Sequence, residues 1–565
     1  MQQTFAPFAE RAHVVDLDWL LRYLFPVRYS VKGCSGRIIK NMSQYDPTRK
    51  TAGFGFEHQA SNAIDGCVYL VGAGPGDPSL ITVRGYELLA RADVVLYDFL
   101  VNPLILEPVS EEAEKICLGR HGSGRIWNQT EINQKMIDFA TQGKQIIRLK
   151  GGDPGVFGRL AEEVEPLEAA GIHWEVVPGI SAALAAPGYA GVYMTHRKHA
   201  SAVAMVTGHE QDGEGASKLD FPALANFPGT LIFYMGVTTA PSWTKKLIEA
   251  GRDAETPTAI VRKCSMSDQQ VFYCALKDVA AELTNRKLRP PAVILVGYAA
   301  EAVRKDFPRS WFARKPLLGQ TILITRPRNQ ALPLARMLTE LGAGCLLQPA
   351  IQIKQPIDWS DVDAALGRIQ AYDWLVFSSV NGVHFFFERF SKNFEDLRRL
   401  GNVRLAAIGP QTAAAVESYR LKVDCQPTAF CAEELAAALE VESGNQFLLV
   451  RASRGREVLA ESLIRAGATV DQVVVYESTD VREVDPEIAD AMANQQIDWI
   501  TVTSSAIARS LVSLFGSALG HVRLASISPI TSAALRESGF EPAVEADVFT
   551  MEGLVTAMRQ YPLKK

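Results

Sequence analysis

Cys67-Val-Tyr-Leu-Val71-Gly72-Ala-Gly74-Pro75-Gly76-Asp77-Pro78-Ser-Leu80 is the stretch whose reading decides the fold. Val68–Val71 is a short apolar run that stops at Gly72. Helical spacing follows over Leu80–Ala90, and a second apolar run occupies Asp93–Tyr97. Strand, glycine turn, helix, strand is the start of an α/β unit, which predicts a parallel sheet. The glycine turn invites comparison with a dinucleotide-binding loop, whose glycines bring the backbone close to a pyrophosphate at a helix N-terminus. The third glycine here comes one residue early for that fingerprint. Asp77 at the mouth would also repel phosphates, while tolerating a neutral or zwitterionic ligand.

Working outward, similar apolar runs occur at Gln145–Leu149, Ala202–Thr207, Gly229–Met235 and Ala292–Val296. A charged stretch with Pro and Trp, Arg304–Pro316, reads as a linker. The alternation restarts at Thr321–Ile324 and continues through Trp374–Phe377, Arg404–Ile408, Gln446–Val450, Val473–Tyr476 and Trp499–Val502. This later part echoes itself. Asp373-Trp374 leading to Ser378-Ser379 recurs as Asp498-Trp499 leading to Thr503-Ser504, and Gly409-Pro410-Gln-Thr412 recurs as Ser528-Pro529-Ile-Thr531. Two like α/β lobes with a ligand cleft between them are therefore expected. The division predicted is an extension over residues 1–65 without clear periodicity, a first unit over 66–303, a linker over 304–317 and a second unit over 318–565. Asp373 and Asp498 read as turn caps before buried strands, and Trp374 and Trp499 as core.

The bulk numbers are ordinary for a soluble globular protein. Of 565 residues, 47% are apolar and 21% charged, and the net charge of −5 gives no footing for bulk nucleic-acid or membrane binding. No apolar run reaches the length of a membrane span. The eight cysteines are scattered without a Cys-x-x-Cys pair, so neither a zinc site nor a disulfide framework is signalled. His196, His199 and His209 come nearest to a ligand cluster, but Arg197 and Lys198 beside them favour a cationic loop, and no metal is expected.

Five motifs in order carry a resemblance. They are Gly72-Ala-Gly74-Pro75-Gly76-Asp77-Pro78, Ala92-Asp-Val-Val-Leu-Tyr-Asp98, Arg148-Leu-Lys-Gly151-Gly152-Asp153-Pro-Gly-Val156-Phe-Gly158-Arg159, Val177-Pro-Gly179-Ile-Ser181-Ala182, and Tyr234-Met235-Gly236. Together with Thr195-His-Arg197 they make residues 67–300 resemble the tetrapyrrole C-methyltransferases, most closely those acting on uroporphyrinogen III. The resemblance implies two α/β lobes with S-adenosylmethionine between them. Pro75, Gly151, Gly152, Asp153, Val156, Ser181, Ala182, Met235 and Cys264 are then the expected donor contacts. Asp98 resembles the family's general base. Arg120 stands where the family usually has a lysine; an arginine stays charged, so its expected role is anchoring substrate rather than giving a proton. Cys264 and Phe99 also replace a usual glycine and arginine.

Thr325-Arg326-Pro327, Asp373-Trp374 through Ser378-Ser379-Val-Asn381-Gly382, Ile408-Gly409-Pro410-Gln-Thr412 and Val475-Tyr476 resemble uroporphyrinogen-III synthase over residues 318–563. That reaction closes hydroxymethylbilane with loss of water and inversion of the last ring. It requires an acid for the leaving hydroxyl and donors for many carboxylates. Tyr476 matches the acid; Arg326, Ser378, Ser379, Thr412, Arg451, Thr503 and Ser504 are the expected substrate contacts. The combined expectation is a cytoplasmic bifunctional enzyme that dimerises through its methyltransferase part. The rival readings are a methyltransferase for another precorrin-type intermediate fused to a synthase-like binding module, and a nicotinamide-dependent dehydrogenase.

Overall fold

Among the described residues, strands separated by helices build four five-stranded sheets, two in each half of the chain. The computed structural model describes residues 66–119, 126–209, 218–300, 310–428, 432–455 and 457–562. The extension over residues 1–65 and Arg120 lie outside the described residues. None of the described helices is long and apolar enough to cross a membrane.

The first sheet has the order β3 (Glu114–Cys117), β2 (Val94–Tyr97), β4 (Gln145–Lys150), β1 (Cys67–Gly72), β5 (His173–Val177), and every pairing is parallel. Its central strands are buried on both faces, with Val68, Leu70 and Val71 fully shielded. That is why they read as unbroken apolar runs rather than as alternation. The second sheet, β6 (Val203–Thr207), β7 (Thr230–Tyr234), β10 (Ala292–Val296), β8 (Pro257–Arg262), β9 (Gln270–Ala275), departs from the parallel expectation. Only β6–β7 is parallel; β10 runs against both β7 and β8, and β8 and β9 are antiparallel partners. A seven-residue loop joins β8 to β9, too short for the crossover that a parallel pair needs.

In the second half the chain starts one sheet, leaves to build another, and returns. The sheet β12 (Gly344–Leu347), β11 (Thr321–Ile324), β18 (Trp499–Val502), β19 (Arg523–Ser526), β20 (Val544–Glu545) is all parallel. The other is β13 (Ile351–Lys354), β17 (Thr469–Asp480), β16 (Gln446–Ala452), β14 (Trp374–Phe377), β15 (Arg404–Ala407), with only the β13 edge antiparallel. Where the chain crosses between them, Gln348 accepts from the Asp485 N–H (2.9 Å) and donates to the Glu483 carbonyl (3.2 Å), tying both crossings together.

The two lobes expected from the repeat are present, and its aspartates have one job. Asp373 accepts from the first N–H of β16 and Asp498 from the first N–H of β11, each at 2.8 Å. These aspartates fasten the head of a neighbouring strand rather than cap a turn. Asp93 does the same for β4, at 2.7 Å. Trp374 and Trp499 are core residues, each with an arginine, Arg404 or Arg523, over its ring. Part of the stretch read as a linker is packed into the fold. Ser310 donates to the Tyr189 carbonyl, Trp311 and Phe312 pack on the Tyr189 ring, and Leu317 lies in the core of the following lobe.

Candidate active sites

The loops at the ends of β1, β4 and β5 meet at three glycines. A Cβ on Gly179 would come within 2.2 Å of the Gly152 oxygen, and one on Gly72 within 2.5 Å of the Gly179 Cα. Gly74 and Gly152 exchange backbone hydrogen bonds of 3.1 and 2.7 Å. Side chains are excluded here because the backbones touch. Asp153 fixes the junction from within, accepting from the Gly179 N–H (2.9 Å) and the Gly155 N–H (2.8 Å). Asp77 does not guard this mouth. Its carboxylate accepts from the Ser79 N–H and the Tyr189 hydroxyl, and its backbone N–H donates to the Ser265 hydroxyl (2.9 Å).

Beyond the junction lies a cavity of about 310 Å³ between the first two sheets. Pro75, Gly151, Gly152, Asp153, Val156, Ser181, Ala182, Met235 and Cys264 all line it, so the structure brings together all nine residues expected around the donor. Two polar wall residues, Tyr234 and Lys263, were not among those expected. The Tyr234 hydroxyl hydrogen-bonds Ser181 and accepts from the Ala183 N–H (2.7 Å), joining the lobes. Lys263 lines the cavity while paired with Asp268. Burial pushes the Cys264 thiol up to about 12, so the wall there is uncharged. Phe157, Met235 and Lys263 hold left-handed backbone angles (φ 54°, 52° and 49°). Strain of this kind persists where surrounding structure enforces it, and here it collects on one cavity.

A second cavity, of about 520 Å³, shares Leu100, Gly151, Val156 and Phe157 with the first. Asp98 opens onto it just past β2, along with Phe99 and Trp127. Behind Asp98 is a buried charge cluster that sequence reasoning did not assemble. Arg148 bridges Asp98 (2.7 Å) and Glu163 (3.0 Å), and Lys150 reaches Glu163 (2.6 Å). Gln129, on the cavity wall, also donates to Glu163 at 3.2 Å. Two cations and two anions balance, which is the condition for keeping charges in a core. Burial pulls the Arg148 guanidinium down, but Asp98 and Glu163 outweigh it and hold it above its ordinary value. Burial, then Arg148, push the Lys150 ammonium below its own, only partly offset by Glu163. Arg148 and Lys150 were visible as alternate residues of β4; Glu163 carried no local signal.

In the second half the expected residues divide. Ser378, Ser379, Arg451 and Tyr476 line one cavity of about 280 Å³, closed on the far side by Ile530 of the other lobe. Arg326, Thr412, Thr503 and Ser504 are not on its wall. Ser379 and Ser504 are equivalent helix caps, accepting from Gly382 (3.0 Å) and Ile507 (3.2 Å). Only Ser379 also meets the Tyr476 hydroxyl, at 3.0 Å. Tyr476 is buried, stacked on Phe385, and burial raises its hydroxyl above the usual phenol value. Arg451 is engaged by Glu457 and Gln472. Thr412 is buried.

Paired α/β halves, one with two adjoining cavities and one with a two-lobed cleft, define a bifunctional enzyme of tetrapyrrole biosynthesis once they are set beside known proteins. Residues 67–280 match the tetrapyrrole (corrin/porphyrin) methylases and residues 333–556 match uroporphyrinogen-III synthase HemD. The chain belongs to both families, as a fusion of a uroporphyrinogen-III C-methyltransferase-type half and a uroporphyrinogen-III synthase-type half. It is 34% identical to a porphyrin biosynthesis protein HemD of Ruminiclostridium josui, over 82% of this chain and 91% of that one. It is also 34% identical to a uroporphyrinogen-III C-methyltransferase of Bacillus subtilis, over 62% of this chain and 71% of that one. A siroheme synthase of Sodalis glossinidius is 41% identical over 52% of this chain, which spans 61% of that protein's length.

Proposed function

We propose that the second half closes hydroxymethylbilane to uroporphyrinogen III, and that the first half methylates this product twice, at carbons 2 and 7, to precorrin-2. The observation that carries the methyl-transfer reading is the wall shared by two cavities, with the Asp98 carboxylate facing the larger. Donor and acceptor sites in contact convert a bimolecular displacement into a positioned one. S-adenosylmethionine would be held by the nine residues of the smaller cavity and supplies a methyl already activated on its sulfonium. Their chemistry suits it: glycine backbone for close approach, an uncharged thiol, a soft methionine contact and hydroxyls braced by Tyr234. Asp98 accepts the proton that the ring system must lose once a pyrrole carbon is methylated; Arg148 holds one of its carboxylate oxygens (2.7 Å) and the Gly151 N–H reaches the other (3.4 Å). Arg120 anchors a substrate carboxylate.

In the second half Tyr476 gives a proton to the leaving hydroxyl, and Ser378 and Ser379 offer hydroxyl and cap groups to the substrate. Arg326, Thr412, Arg451, Thr503 and Ser504 belong to the same substrate cleft in this reading. A homodimer formed through the methyltransferase half, in the cytoplasm, completes the proposal. The test is an assay of the purified chain with hydroxymethylbilane and labelled S-adenosylmethionine. Two methyls on a type III ring system are expected. Unmethylated type III product would contradict the methyltransferase assignment and favour another precorrin-type acceptor, with Phe99 on the cavity wall as the first residue to change. Absence of a cyclic type III product would make the second half a binding module.

A further inference from the structure

Four hydrogen bonds close a circuit behind the smaller cavity of the first half. The Asp77 N–H donates to the Ser265 hydroxyl (2.9 Å), and the Ser265 N–H to the Gln269 Oε1 (2.9 Å). The Gln269 Nε2 donates to the Tyr189 carbonyl (3.2 Å), and the Tyr189 hydroxyl returns to the Asp77 Oδ2 (2.8 Å). Three separate pieces of chain meet in it: the glycine loop after β1, the helix Ala182–Ala190, and the loop from β8 to β9. None of the four residues lines the cavity, but the two loops they join supply Gly74, Pro75, Lys263, Cys264 and Met266 to its wall.

The β8–β9 loop carries strain for the circuit to hold. Lys263 and Ser265 both have left-handed backbone angles (φ 49° and 62°), which persist only where surrounding contacts enforce them. The two loops also touch directly, since a Cβ on Gly76 would come within 2.6 Å of the Met266 Cγ. Burial, then the Asp77 carboxylate, hold the Tyr189 phenol above its ordinary value, so it keeps its proton and donates. The circuit is in turn gripped from beyond the first half. Ser310 donates to the same Tyr189 carbonyl, and Trp311 and Phe312 each pack on the Tyr189 ring with centroids 5.0 Å apart. Gly319, on the approach to β11, donates to the Ser267 carbonyl of the strained loop at 2.9 Å.

We propose that Tyr189 and Gln269 are positioning residues of the methyl-donor site, and that Ser310–Phe312 and Gly319 keep their circuit closed, so that the donor loops are set by chain outside the methylase-type half. The proposal rests on the reading of the smaller cavity as the S-adenosylmethionine site. Neither residue touches the donor; they act by fixing the two wall loops in place before it arrives. A site already ordered spares the ligand the cost of ordering it, which appears as affinity rather than as rate at saturation. The chemistry of ring closure takes no part in this.

The experiment measures S-adenosylhomocysteine binding by calorimetry in the full chain and in Tyr189→Phe, which removes only the hydroxyl. Affinity is expected to fall about tenfold, within what one hydrogen bond to a carboxylate supports. In methylation of supplied uroporphyrinogen III, the donor KM should rise by the same factor, with kcat at saturating donor and the acceptor KM unchanged. Trp311→Ala, a change outside the cavity, should weaken binding about threefold, and Trp311→Phe should restore most of it. Native kcat and native ring closure together report that both halves are folded. A loss of thermal stability with native donor affinity would make the circuit merely structural and overturn the proposal, as would a fall in kcat alone. Native affinity in Trp311→Ala overturns the part given to the stretch beyond the first half. If the native chain itself binds no S-adenosylhomocysteine, the donor-site reading fails and the proposal falls with it.

Discussion

The two halves of this chain use the same material, parallel strands ending in short loops, to make sites of different kinds. In the first half the loops are glycines pressed against one another, and the nine residues expected around the donor all reach one cavity. In the second half the recurring residues are serines and threonines at helix starts, and the repeat supplies each twice. Ser379 and Ser504 make the same cap, but only Ser379 also touches Tyr476. A motif that exists because backbones approach each other marks a site; a motif that exists because a helix needs a cap marks scaffold and site together.

The largest expected effect separates the halves outright. Asp98→Asn should lower methyl transfer by roughly 10²–10⁴-fold, the range for loss of a general base, with ring closure unaffected; product analysis from both substrates checks this, and a parallel loss of ring closure would break the comparison. Glu163→Gln comes next. Removing the Glu163 charge leaves Lys150 without its carboxylate and Arg148 with Asp98 alone, and should cost about 3–5 kcal/mol, read by denaturant unfolding. The sign of its pH dependence follows from Lys150, whose amine lies below its ordinary value of 10.5 in the fold. The folded form binds that proton less tightly than the unfolded chain, so stability from this group rises with pH toward 10.5 and is lost below the folded value. The deficit should narrow between pH 7 and pH 10; a constant deficit would contradict the cluster's electrostatics.

Gly179→Ala should cost about 1–3 kcal/mol of stability, since its methyl has backbone on two sides, and should abolish S-adenosylhomocysteine binding by calorimetry. Smallest is a pair that sharpens the contrast between the lobes. Ser504→Ala should lose about 1 kcal/mol with a small fall in the ring-closing rate, whereas Ser379→Ala should lose the same stability and slow the reaction further, because Ser379 also meets the Tyr476 hydroxyl. Equal rates in the two variants would remove the distinction drawn between them.

What was legible in the sequence follows from the range of the interactions. The glycine loops were readable because close backbone approach demands glycine at fixed offsets; Asp98 and the nine cavity residues were reached only through the family resemblance that the motifs carry. The lobed repeat was readable because Asp-Trp and the helix caps recur at similar spacing. The antiparallel strands β8 and β9 were not, since β9 is only partly buried and shows no clean alternation. Glu163 comes from a helix after the cavity loop, and nothing local distinguishes it from its neighbours Glu162 and Glu165 on the same helix. The hydrogen bond from Gln330 to Asn381 joins residues 51 positions apart and forms only where the two lobes face each other.

The central claim is that one chain holds two independent active sites acting in sequence. It is tested most directly by supplying hydroxymethylbilane and S-adenosylmethionine to Asp98→Asn, and uroporphyrinogen III and S-adenosylmethionine to Tyr476→Phe. The account predicts unmethylated uroporphyrinogen III accumulating at the native rate in the first, and dimethylation at the native rate in the second. Loss of both activities in either variant would contradict it.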